Sequence, residues 1–422
     1  MKKVFASAGM VALGAIGVHS APADLGASAD KPWSISATLR GFYDDNINTQ
    51  PDVNNLRRSS YGIEIRPRAD VNWNSGPTTI TASYIYDDRY YASRQGGKND
   101  QSHDVELFVN HNFSERYSID LEESFVDSQE PEVIDRALSL PLRANGDNLR
   151  NNAALNFHAE LTPLLGLVLG YANTWYDYSN QTNALIGGPS YATLLNRFEH
   201  LVTLNSRWHV APQTVAILGY QFEAVDYTSS GLIAPGTPAN SRNNYTHNIY
   251  VGAEHSFRSD LQVSARVGVQ VADYYNAPPG NNAGSLSPFV DLSAAYAYMD
   301  GGTLTVGFRN SKNQTDVAGF ASGQVTQDQE SSSVYGTISQ QLTPLSPKLI
   351  DSLTAQYQNS TFNGGGANNQ HDVFYLLGLN LTYQFNRYFS AEVGYNYDRL
   401  HSDLALRGYD RNRVYVGVTG SY

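Results

Sequence analysis

Apolar residues recur at every second position through most of this chain. The segment 60–75 shows the pattern plainly. Ile63, Ile65, Pro67, Ala69, Val71 and Trp73 share one parity, and Glu64, Arg66, Arg68 and Asp70 share the other. A period of two belongs to a β-strand, whose successive side chains point to opposite faces. The alternation returns at 155–161, 165–171, 245–253, 261–269, 288–296, 373–385 and 389–397. It runs to the last residues, where Val414, Val416, Val418 and Tyr422 share a face. Short turn signals such as Asn74-Ser75-Gly76-Pro77, Thr162-Pro163, Ala211-Pro212 and Asp300-Gly301-Gly302 join strands on one side. Longer polar stretches join them on the other, near 44–60, 126–148, 176–195, 226–243, 273–285, 311–331, 359–371 and 399–411.

Strands of roughly nine to twelve residues with one apolar face are long enough to cross a bilayer at a tilt. Short turns on one side and long loops on the other are the asymmetry of an outer-membrane barrel. The pattern therefore predicts an all-β fold: a transmembrane antiparallel up-and-down β-barrel of about 18 strands. Its first strand starts at Trp33, and its last must pair with the first, because an open sheet edge does not occur in lipid. Val414, Val416, Val418 and Tyr422 are read as the signal engaged by the barrel-assembly machinery. A soluble sandwich or propeller would show turns of similar length on both sides.

The first residues fit a secretory signal. Lys2 and Lys3 precede an apolar, small-residue run to Val18, and Ala21-Pro22-Ala23 offers a cleavage site. The expected organisation is a signal peptide at 1–23, a short segment at 24–32 and the barrel at 33–422. No later run approaches the length of a membrane-spanning helix. Mean hydropathy is only −0.39, as alternation with polar residues requires.

Composition sharpens this reading. The chain has 29 Tyr and no Cys, and its formal net charge is −12. Tyr suits membrane interfaces, where one end of the ring is apolar and the other wet. Trp33, Trp73, Phe113, Tyr117, Trp208, Phe257, Tyr298, Phe385, Phe389 and Tyr422 cluster near the short turns and predict an aromatic girdle. Outer-membrane lipid and lipopolysaccharide are the expected surroundings. An acidic chain does not seek nucleic acid.

The polar faces carry the candidate site. If the apolar faces meet lipid, then Glu64, Arg66, Arg68, Asp70, Glu106, Asp120, Glu122, Arg150, Glu160, Arg207, Glu223, Arg266, Arg309, Glu392 and Arg413 line the interior. A barrel of this size is too wide to fill with side chains, so a water-filled channel is expected. No phosphate-binding loop, zinc motif or Cys cluster is present, and the ten His are scattered. No catalytic residue, cofactor or metal is expected. Asp44-Asp45-Asn46 and Asp87-Asp88 lie at predicted strand–loop junctions without the spacing of a calcium loop, and read as loop carboxylates.

Gly41-Phe42-Tyr43-Asp44-Asp45-Asn46, its echo Tyr84-Ile85-Tyr86-Asp87-Asp88 and the closing Tyr409-Asp410-Arg411-Asn412-Arg413-Val414-Tyr415-Val416-Gly417-Val418 carry a resemblance. By these segments the chain resembles the family named "putative β-barrel porin type 2". It departs from the commoner pattern in ending on Tyr rather than Phe. The resemblance implies an outer-membrane barrel, and some of the family's members look associated with exopolysaccharide production. The expected function is passive diffusion of small hydrophilic solutes. The alternatives are export of a polysaccharide, with Tyr250, Tyr335 and Tyr415 as stacking candidates, or a barrel acting as scaffold or adhesin. An outer-membrane hydrolase is the remaining alternative.

Overall fold

The computed structural model describes residues 31–53, 56–128, 147–179, 188–321 and 323–422. The proposed signal peptide at 1–23 and residues 24–30 lie outside the described residues, as do parts of the loops expected at 126–148 and 176–195.

Alternation is realised as strands. In chain order they are β1 (Trp33–Asp44), β2 (Ser60–Ser75), β3 (Thr78–Tyr91), β4 (Asn99–Asn112), β5 (Tyr117–Ser128), β6 (Asn148–Thr162) and β7 (Leu165–Tyr178). A short helix α1 (Tyr191–Leu195) precedes β8 (Arg197–Ala211) and β9 (Thr214–Tyr227). A small hairpin, β10 (Leu232–Ala234) with β11 (Thr237–Pro238), sits in the next loop. Then come β12 (Asn244–Arg258), β13 (Leu261–Asp273), β14 (Gly284–Met299), β15 (Gly302–Asn313) and β16 (Asp328–Gln341). β17 (Leu349–Asn363), β18 (His371–Asn386), β19 (Phe389–Ser402) and β20 (Tyr409–Ser421) complete the set.

Each strand except the hairpin pair is antiparallel to its neighbours, and together they form one 18-stranded sheet. The sheet closes. β1 pairs with β20 from Ser36↔Ser421 to Asp44↔Arg413, and Ile35 and Tyr422 exchange both backbone bonds at 3.1 and 2.8 Å. The Lys31 ammonium lies 3.8 Å from the Tyr422 ring centroid and 5.0 Å from that of Trp33, a cation–π contact beside the seam.

Register fixes the faces. Ile35, Leu39, Tyr61, Ile63, Ile65, Val71, Val414, Val416 and Val418 are all exposed, and their strand neighbours of opposite parity turn inward. Trp33, Trp73, Phe113, Tyr117, Trp208, Phe257, Phe385, Phe389 and Tyr422 are exposed beside the short-turn side, while Tyr298 is half-buried and donates to Gln340 at 2.7 Å. A second belt lies toward the long loops. It repeats one outward pair across three strand pairs: Tyr84–His103, Tyr171–His200 and Tyr220–His247, each a hydroxyl–Nδ1 bond of 2.8–2.9 Å between stacked rings.

The structure corrects one boundary. Asp87 and Asp88 are not at a loop junction but within β3, which continues to Tyr91. Asp87 faces inward against Arg89 at 3.2 Å, and Asp88 faces outward and accepts from Asn99 at 2.9 Å. The polar pair looked like turn chemistry, but inward positions near the mouth of a wide barrel tolerate charge.

Candidate pore lumen

All fifteen of the predicted polar-face residues project to the barrel interior by register. Cross-strand partners share a face, and the chain of partners runs round the wall. Asp70↔Ser83, Ser83↔Glu106, Glu106↔Ser124 and Ser124↔Asn152 trace part of it. Arg266↔Asp291, Asp291↔Arg309 and Arg309↔Ser333 trace the opposite part.

The wall spanning the seam is braced by ion pairs. Arg40 reaches Glu64 at 3.0 Å and Glu392 at 2.6 Å. Arg89 meets Glu64 at 3.7 Å and Asp87 at 3.2 Å. Arg413 meets Asp44 at 3.0 Å, and Arg411 meets Asp398 at 2.9 Å. Glu64, with 5% of its surface exposed, therefore presents little free charge to the lumen. Sequence reasoning missed Arg40, Arg89, Asp398 and Arg411. Arg40 already lay within the alternation of β1, and extending that of β3, β19 and β20 by one to three residues would have found the others.

A cavity of about 600 Å³ occupies the lumen. Arg68, Asp70, Glu106 and Glu122 line it from β2, β4 and β5. Arg207, Glu254, Arg266, Asp291 and Arg309 line it from β8 and β12–β15. Arg207 holds Glu254 at 2.7 Å, with Arg266 at 3.4 Å from the same carboxylate. Arg68 holds Asp70 at 2.6 Å. β4 and β15 lie nine strands apart in an 18-stranded ring, so Glu106 and Arg309 stand on opposite walls. Toward the short turns, His158 meets Asp120 at 2.8 Å and His209 meets Glu160 at 3.3 Å. Arg66 and Arg150 lie on the interior of β2 and β6, and Glu223 on that of β9 beside the cavity.

The three tyrosines considered for sugar stacking all face inward, and each lies over a glycine on the next strand. A Cβ at Gly219, Gly307 or Gly394 would overlap the ring of Tyr250, Tyr335 or Tyr415 respectively. Tyr250 also donates to Asn205 at 2.6 Å and is only 2% exposed. The rings fill gaps in the wall.

The outer mouth is narrowed by folded loops. Tyr191, Leu194 and Leu195 of α1, Ile233 and Ala234 of β10, Ala239 and Val325 pack with Tyr176, Tyr178, Val225 and Tyr227 of the wall. Buried Arg242 donates to the carbonyls of Thr315 and Val317. Arg407 grips Asp316 and Asp372, each at 2.7 Å. Burial works against its charge, but the two carboxylates more than offset this and hold the guanidinium above its ordinary range. Asp45 pairs with Arg57 and also accepts from Asn412. The carboxylates weighed as calcium ligands thus have arginine or asparagine partners.

A family model described as "Putative beta-barrel porin 2" matches residues 305–422. Among solved structures, OccAB4 of Acinetobacter baumannii is similar at 13% identity and a TM-score of 0.44, covering 93% of this chain and 99% of that one. OccK9 (OpdG) of Pseudomonas aeruginosa is similar at 11% identity and 0.44, covering 92% and 98%. The siderophore receptor PirA of Acinetobacter baumannii is similar at 9% and 0.43, covering 93% and 81%. No curated protein matches the chain. A closed barrel with an apolar exterior and a charged interior is the architecture of a multi-pass outer-membrane barrel.

Proposed function

We propose that this barrel is a channel for passive diffusion of small hydrophilic solutes. The observation that carries the reading is the lumen cavity, lined by charges of both signs on opposing walls. Rings of fixed charge at close range set which ions enter a pore. The pairing leaves the walls unequal. Glu106 and Glu122 face the cavity from one side, and Arg309 faces it from the other, where Arg207 and Arg266 share Glu254. Such a cross-section orients a dipolar solute as it passes.

Planar-bilayer conductance tests the reading. The wild type should give discrete channels, and Arg309→Glu should shift selectivity toward cations. Cys at Arg68 or Glu106 should react with a membrane-impermeant thiol reagent, and Cys at Ile65 or Val71 should stay protected. The chain has no cysteine, so there is no background. Correct labelling without any conductance would keep the barrel and remove the channel.

A further inference from the structure

The wall is not paired along its whole height. β13 and β14 pair up to Asp273↔Gly284, and β15 and β16 pair up to Asn313↔Gln329. Between them, the β14–β15 ladder stops at Val290↔Asn310. Residues 284–289 then pair only with β13, and 311–313 only with β16. Pro288 contributes to the break, since it has no N–H to give. The Lys312 N–H goes instead to Gln270 Oε1 at 2.9 Å. Ser287 Oγ and Asn310 Oδ1, both on residues more than nine-tenths buried, have no partner at the break. An open ladder leaves backbone groups without a strand partner, so its presence calls for a use.

The two sides of this split differ from the rest of the wall. Outside, Leu286 and Pro288 are exposed and apolar. Inside, Phe289 packs on Tyr250 with ring centroids 5.5 Å apart, and Ile217 joins them. This is an apolar patch on the inner wall, and Phe289 and Tyr250 line the cavity. Above, the flanking loops are tied by Asn281 donating to the Val325 carbonyl at 2.9 Å. Side chains rather than a ladder span the split. Lys312 bridges it, bonding Ser285 on β14 and lying 3.2 Å from Asp328 on β16. Asp328 also accepts from Tyr274 and Asn363, so it keeps partners when Lys312 swings away.

We propose that the β14–β15 split is a lateral port through which a single-chain amphiphile with an anionic head passes between the lumen and the outer leaflet. Lys312 is its latch. An anionic head exchanges for Asp328 on the Lys312 ammonium and next meets Arg309 inside the lumen. The chain meets Leu286 and Pro288 outside, then Phe289 and Tyr250 inside. This path differs in substrate class from the aqueous one.

A dodecanoate probe with a photoreactive diazirine at its chain end tests the port, using the full-length protein in lipid nanodiscs. Adducts are mapped by peptide mass. The wild type should be labelled at inward Ile217, Tyr250 or Phe289 as well as at lipid-facing residues. Lys312→Ala should raise the inward share roughly fivefold, as expected when a closed state loses its latch. The pair Ser285→Cys and Lys312→Cys, joined by a short bifunctional thiol reagent, should lose inward adducts, while the same variant before cross-linking keeps them. Adducts confined to lipid-facing residues, or inward labelling unchanged by the cross-link, would overturn the proposal. Inward labelling in a protein that conducts no ions would sustain the port and reject the channel.

Discussion

At the scale of single residues, a charge inside this barrel has one of two fates. Glu106 and Glu122 border the cavity, whereas Glu64 is spent on Arg40 and Arg89 within the wall. Removing one member of a buried network strands the other charges. Glu64→Ala should therefore cost about 3–5 kcal/mol, with Glu64→Gln costing less. Urea unfolding followed by the heat-modifiable gel band measures this; equal midpoints for Glu64→Ala and wild type would contradict it. Glycine positions matter for a different reason. Gly394 leaves room for the Tyr415 ring to lie flat. Gly394→Val should destabilise by about 1–3 kcal/mol through overpacking, and adding Tyr415→Ala should recover part of the loss. Alternation along the chain marked Glu64 and Arg413 as inward. It did not show that they pair: Arg413 meets Asp44 only across the β20–β1 closure, and Glu64 meets Arg40 and Arg89 only once the registers of β1, β2 and β3 are set.

At the scale of elements, the closing strand carries the clearest expectation. Val414, Val416 and Val418 are exposed on the outer face of β20, while Thr419 is inward, 2.9 Å from Thr38. Val416→Arg places a cation in the lipid band, at a cost of about 2–4 kcal/mol near mid-membrane. It should lower the amount of folded, heat-modifiable barrel in the outer membrane. Thr419→Arg, facing the lumen, should lower it less. Equal levels would mean that the register is shifted by one residue. Strand existence and facing were legible from the period of two. The end of β3 was not, since Asp87 and Asp88 read locally as turn residues while the barrel wall extends past them.

At the scale of the whole molecule, the opposing charges of the lumen act through water and are open to screening. The Debye length falls from about 10 Å at 0.1 M salt to about 3 Å at 1 M. Ion selectivity measured by reversal potential should therefore weaken steeply between these salt concentrations in the wild type. A selectivity independent of salt would point to a steric filter formed by the loops around Arg242 and Arg407 instead.

The sequence by itself determined the strand pattern, the number of strands to within its own approximation, the inward and outward faces and the aromatic girdle. These follow from side-chain periodicity, which is local. It determined the fifteen inward charges for the same reason. The tertiary structure decided which charges cancel across the β20–β1 seam, how the outer loops pack around Val325, and where the β14–β15 ladder parts. Each of these depends on neighbours distant in sequence, and only closing the sheet sets those neighbours side by side.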